Sequence, residues 1–218
     1  MQKTLSFLKS IKSNNNRDWF EKNKQRYFEA KEEHELFVEK IIKGIVKFDK
    51  KISPDMKAKD CVFRIYKDVR FSKDKTPYKT NFGASMNPGG KKSLEAGYYL
   101  HIEPGASFLA GGVYMPEPEM LNAIRQEIDY NPDPFFKILK SASFKKFFKG
   151  LDDEGKLKTA PKGFDKDHPN LEILKNKHFL VSYPLSDKQL AEKNPDTTIL
   201  AGFKAMHPLM EYLREATA

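Results

Sequence analysis

Cysteine occurs once, at Cys61, so neither an intrachain disulfide nor a multi-cysteine metal site can form. Long apolar runs are missing as well. The stretch from Met1 to Asn16 is short and broken by Lys9 and Lys12, too interrupted for a signal peptide or a membrane span. These absences fit a soluble protein of a reducing cytoplasm with no membrane partner. Familiar catalytic signatures fail too. The turn Asn87-Pro-Gly-Gly-Lys-Lys-Ser93 lacks a P-loop's first glycine, because Ser85 stands there, and its hydroxyl after the lysine, because Lys92 does. His34-Glu35 is followed at the zincin histidine position by Val38, and His101-Ile-Glu103 has no paired cysteines after it. No nucleophile elbow is present.

What is there is a basic chain with a proper core. The 218 residues are 39% hydrophobic and 12% aromatic, which suits one domain spanning 1–218. Lys and Arg number 39 against 30 Asp and Glu, a formal net charge of +9. That balance suits phosphate-bearing partners, and it is equally a common solubility state.

Asn14, Asn15 and Asn16 precede Arg17-Asp-Trp-Phe20, and asparagine is a strong helix N-cap. Phe20, Tyr27, His34, Phe37, Val38, Ile41, Ile45 and Phe48 then recur at helical spacing, predicting one long helix or a kinked pair that ends before Pro54. Trp19 and His34 belong to its core face. Strands are expected over 62–71, Thr80 to Met86, Tyr98 to Glu103, Ser107 to Tyr114 and Phe179 to Tyr183. Helices are expected over Pro118 to Tyr130 and Asp133 to Lys149, and over Asp196 to Arg214 with an interruption near Pro208; Gly150 to Asn170 reads as loop. Strands grouped between helices predict an α+β fold, an antiparallel meander flanked by helices from both ends of the chain.

The densest chemistry lies in Arg64-Ile-Tyr-Lys-Asp-Val-Arg-Phe-Ser-Lys-Asp-Lys-Thr-Pro-Tyr-Lys79. At strand period Phe63, Ile65, Val69 and Phe71 share one face, and Arg64, Tyr66, Asp68 and Arg70 the other, with Lys67 misplaced on the apolar side. A rise of about 3.3 Å per residue puts Asp68 and Arg70 about 7 Å apart, but Arg64 and Arg70 about 20 Å apart, too far to share one small anion. The compact candidate site is therefore Asp68, Arg70, Lys75 and Tyr78, with Arg64 and Lys79 as further ligand-binding cations. Arginine grips oxyanions in bidentate geometry, and Asp68 could orient a guanidinium or act as a general base. Asp165-Lys-Asp-His168 groups metal-type ligands in a loop, but these are also ordinary turn residues before Pro169, and no metal is assigned.

The run from Arg64 to Lys79 resembles the signature of the Domain of Unknown Function 2461 family of bacterial proteins. Asn15-Asn-Arg-Asp-Trp-Phe20, Gly111-Gly-Val-Tyr-Met-Pro116 and Pro161-Lys-Gly-Phe-Asp-Lys-Asp-His-Pro169 resemble its other recurring segments. The resemblance implies importance for Arg64, Asp68, Arg70, Phe71, Asp74, Lys75 and Tyr78. Lys67 stands where relatives generally carry arginine, and Asn81 where histidine is common. It implies no reaction and no cofactor.

Three functions follow as expectations. One is a binding site for an anionic, phosphate-bearing small molecule, with Asp68 as orienter or catalytic base. Another is nucleic-acid binding, the charged row tracking a backbone while Tyr66 or Tyr78 stacks on bases. The last is a non-catalytic interaction protein whose charged run is a salt-bridge ladder.

Overall fold

In the computed structural model, which describes residues 1–153 and 155–218, the chain opens with helix α1 (Gln2–Ser13). This helix is an addition to the expected elements: Thr4, Phe7, Leu8 and Ile11 follow the i, i+3, i+4, i+7 rule and are its buried residues. The expected kinked pair follows. Asn16 caps α2 (Arg17–Lys22), its side chain accepting the Trp19 amide at 2.9 Å, and α3 (Lys24–Ile45) resumes after Asn23. Its stripe of Ala30, His34, Phe37, Val38, Ile41, Ile42 and Ile45 is buried. A single turn, α4 (Ala58–Cys61), leads into the basic run.

The sheet has four antiparallel strands in the order β1 (Phe82–Met86), β2 (Gly97–Ile102), β3 (Ser107–Val113), β4 (Phe179–Leu185). The first three form the expected meander. Between β3 and β4 come α5 (Pro118–Tyr130), α6 (Pro132–Lys140), α7 (Ala142–Lys145) and α8 (Leu171–Leu174); α9 (Asp187–Ala191) and α10 (Asp196–Glu215) close the chain. Helices therefore come from both ends, and the fold is α+β. Among the described residues no helix is long and apolar enough to cross a membrane.

One face of the sheet presents Phe82, Ala84, Leu100, Tyr98, Leu109 and Val181 to the helices, all buried. Contact with α10 is close: a Cβ on Gly111 would strike Met206, and one on Gly202 would come within 2.9 Å of Leu109. Gly112 has φ +130°, and a Cβ there would fall on the Phe179 carbonyl, so only glycine fits. Under this layer Asp49, just past α3, takes two bonds from Arg214 Nη1 (3.1 and 2.9 Å) and one from the Tyr98 hydroxyl (2.8 Å), joining both helical ends to β2.

Two expectations are corrected. α10 is continuous through Pro208, because the proline lies on the exposed face and the carbonyl it deprives of a partner belongs to exposed Lys204, where water can serve. Residues 62–71 form no strand. Their alternation is real, but the chain folds back on itself: Val62 bridges to Ala84, Tyr66 to Tyr78, and Lys67 N–H donates to the Pro77 carbonyl at 2.9 Å. Of the proposed apolar face only Ile65 is buried, whereas Phe71 is 96% exposed.

Candidate functional site

The basic run meets α3 at a cleft of about 270 Å³. Tyr27, Lys31, His34 and Glu35 come from one face of α3; Lys59 lies in α4 and Arg64 follows it, Phe82 opens β1, and Lys91 sits in the turn after it. Several are positioned for a local reason. The α3 residues lie at i, i+4, i+7 and i+8, next to the apolar stripe. Lys91 is pinned by donating its ammonium to the carbonyls of Lys59 and Val62 at 2.7 and 2.8 Å. Phe63 N–H donates to the Gly83 carbonyl at 2.9 Å, which holds the 62–64 backbone against β1.

The electrostatics are one-sided. Four cationic side chains, Lys31, Lys59, Arg64 and Lys91, line the cleft with one carboxylate, Glu35. That carboxylate is already paired with Lys31 at 3.1 Å. Among the described residues Arg64 has no ion pair, and Lys91 is held by carbonyls rather than by an acid. Beside them Lys79 lies with its ammonium 5.5 Å from the Phe63 ring. Its pKa is lowered by burial and then by the Arg64 charge, the sign of a local excess of positive charge. His34 adds none: its buried ring, 5.2 Å from Phe82, has no hydrogen-bond partner on either nitrogen among the described residues, and burial pushes its pKa down to about 4.

The site expected from the sequence is not assembled as a unit. Arg70 turns onto Asp68 in a two-pronged pair, Nε to Oδ1 at 3.0 Å and Nη2 to Oδ2 at 2.6 Å, on an exposed turn. Lys75 donates to the Val69 carbonyl at 2.9 Å. Lys67 reaches Asp74 at 2.6 Å and Thr76 at 2.8 Å, which explains its place on the apolar side. The Tyr78 ring is buried, stacked on Phe20 at 4.1 Å and 14° instead of displayed in the loop. Asn15 brackets it, donating to its carbonyl at 2.9 Å and accepting its amide at 3.1 Å. Arg70's hydrogen bonds hold the Asp68 carboxyl below the usual carboxylate range, which makes it a weak base. Arg64 is thus the expected residue that lines the cleft; Lys31, Glu35, Lys59 and Lys91 are additions. The signal for Lys31 and Glu35 was their place beside the α3 stripe, while Lys59 and Lys91 carried none.

In the other loop, Asp165 Oδ1 accepts the Asp167 amide at 2.9 Å, and His168 Nε2 meets Asp129 of α5 at 2.7 Å. Among the described residues no three His, Cys, Asp or Glu side chains are grouped to hold a metal.

A helix-flanked antiparallel meander with a cation-lined cleft beside its first strand defines an α+β protein with a basic pocket. The family model of the conserved hypothetical protein DUF2461 matches residues 3–212, and the chain belongs to that family. No curated protein and no solved structure matches it.

Proposed function

We propose that the protein binds an anionic, phosphate-bearing small molecule in the cleft between α3 and Arg64. The observation that carries this reading is the charge imbalance: four cations against one carboxylate that is already paired. Arg64 is the primary ligand, since its guanidinium can meet two oxyanion oxygens at once. Lys59 and Lys79 supply further charge. Arg70 and Lys75 join only by giving up their bonds to Asp68 and to the Val69 carbonyl, and Tyr78 stays stacked on Phe20. Binding rather than catalysis is proposed, because Arg70 keeps Asp68 charged and weakly basic.

Isothermal titration with inorganic phosphate and small phosphate monoesters tests the reading. Wild-type protein should bind at least one of them, Arg64→Ala should lose binding, and Arg64→Lys should retain part of it. Absence of binding across the panel would remove the proposal. Exposed Phe71 and Tyr66 among the cations favour single-stranded nucleic acid as the second reading. It predicts binding to an oligonucleotide that falls steeply with salt and is lost in Phe71→Ala.

A further inference from the structure

Side chains alternate across the sheet, and because Leu109 and Gly111 meet α10, their neighbours Phe108, Ala110 and Gly112 face the other way. Register completes that open face: Ser85, Tyr99, Ala110 and Ser182 lie side by side across the four strands, and Gly83, His101, Phe108 and Pro184 form the next row. Over it lies a groove of about 670 Å³, within the range of small-molecule sites. Aromatic rings of Phe63, Tyr99, Phe108 and Tyr114 wall it, and Ala110 and Gly112 leave its floor flat.

Tyr99 is the end of a hydrogen-bonded chain. Its hydroxyl lies 3.1 Å from His101 Nδ1, and His101 Nε2 lies 3.3 Å from Glu103 Oε2. Glu103 is anchored in turn by the Thr80 hydroxyl at 2.9 Å and by Lys12 at 3.5 Å. Asn81 Nδ2 approaches His101 Nδ1 at 3.5 Å. Two donors therefore converge on Nδ1 while Nε2 faces a carboxylate, and both ends select the same tautomer, with the proton on Nε2. Stacking on Phe108 at 4.6 Å and 12° fixes the imidazole plane. The consequence falls on Tyr99, whose proton is committed to His101, leaving its oxygen as an acceptor. Burial pushes the phenol up to about 12, so the proton stays on it at neutral pH.

We propose that this groove is a second binding site, for an uncharged hydroxyl-bearing ring such as a free sugar or the sugar of a nucleoside, with Tyr99 accepting a ligand hydroxyl and His101 and Glu103 as positioning residues. The charge balance separates it from the Arg64 cleft. Among the described residues that line it, two carboxylates, Asp152 and Glu95, outnumber one ammonium, Lys91, so an anion meets net negative charge. Aromatic walls suit the C–H faces of a ring, while the Glu95 carboxylate and the Ser182 hydroxyl oxygen, whose proton goes to Asp152 at 3.1 Å, suit its hydroxyls. The two sites share Phe63 and Lys91, but this one does not depend on phosphate binding at the other.

Protein-observed NMR on the full chain, titrated separately with free hexoses and with uncharged nucleosides, tests the proposal and distinguishes the two ligand sources. Amide shifts should concentrate at Gly112, Ser182 and Ala110. Tyr99→Phe, which keeps the ring, should weaken binding roughly tenfold, the effect of one lost hydrogen bond. Gly83→Ala should act similarly, since its Cβ would come within 2.6 Å of the Tyr99 hydroxyl. Imidazole nitrogen shifts should report His101 as the Nε2-protonated tautomer, and Glu103→Gln should disturb that pattern along with affinity. The proposal is overturned if neither ligand class shifts the open-face amides, if Tyr99→Phe binds like wild type, or if His101 carries its proton on Nδ1.

Discussion

Replacing His34 with leucine should stabilise the protein, and by more as the pH falls. The ring is buried on α3 with no hydrogen bond to either nitrogen among the described residues, so its desolvation is uncompensated in the folded state. Burial depresses its pKa from 6.5 to about 4, with Glu33 on the same helix opposing the shift weakly. The sign follows from where the proton can bind. Below pH 6.5 the unfolded chain takes up a proton that the folded chain refuses until about pH 4, so stability is full above this window and drains away through it. A depression of about 2.5 units at about 1.4 kcal/mol each amounts to a loss of about 3 kcal/mol. Lys31 and Glu35 of α3, Lys59 and Arg64 also surround the cleft. They are common to both proteins and cancel in a difference. Urea unfolding of wild type and His34→Leu at steps between pH 7.5 and 4.5 should show equal or greater stability for the variant at the upper end and a gap widening by about 2.5 kcal/mol towards the lower. A gap independent of pH, or a His34 resonance titrating near 6.5, would refute the reasoning.

Asp49→Asn should cost about 3–5 kcal/mol by denaturant titration, because it leaves the Arg214 guanidinium buried without its carboxylate. Gly112→Ala should cost roughly 2–4 kcal/mol, since φ +130° and the Phe179 carbonyl both oppose a Cβ; unchanged thermal stability would contradict the packing of β3 on β4. Pro208→Ala should raise stability by about 1–2 kcal/mol by restoring a bond to the Lys204 carbonyl, less the gain in unfolded-chain freedom.

The meander was legible because glycine and proline turns separate runs that alternate at period two and because one face is buried; the register of β1 to β3 needs nothing else. Pro118 to Tyr130 was legible to its ends for the related reason that proline opens it. The basic run also alternates, and there the same rule failed. Period two reports a face only if that face is covered. The partner of 65–67 is 77–79 of the same loop, and Tyr78 is covered by Phe20, which spacing along the chain does not reveal. Pro208 misled in the opposite direction, since a helix tolerates proline where the orphaned carbonyl faces water. The candidate site was legible at Arg64 and, beside it, at Lys79. Lys31, Lys59 and Lys91 reach the cleft from three other segments, and no motif links them.

Density of charge in the sequence and availability of charge in the structure are different quantities, and Arg64 and Arg70 separate them. Arg70 sits where basic residues are most crowded, yet Asp68 occupies its fork with two bonds, and Asp74 likewise occupies Lys67. Within that turn the local acids answer the local bases, as the salt-bridge ladder reading requires, though inside one loop rather than across strands. Arg64 sits at the edge of the run, with no ion pair among the described residues and with Lys79 as a like-charged neighbour. An oxyanion arriving at Arg70 must displace a carboxylate, so little is gained; one arriving at Arg64 relieves a repulsion. Arg70→Ala should therefore leave phosphate affinity within about twofold of wild type, while Arg64→Ala removes it. Asp68→Asn, which frees the Arg70 guanidinium, should strengthen binding if Arg70 can reach the ligand and leave it unchanged if it cannot. Equal losses in Arg64→Ala and Arg70→Ala would return the site to the turn and refute its placement on α3.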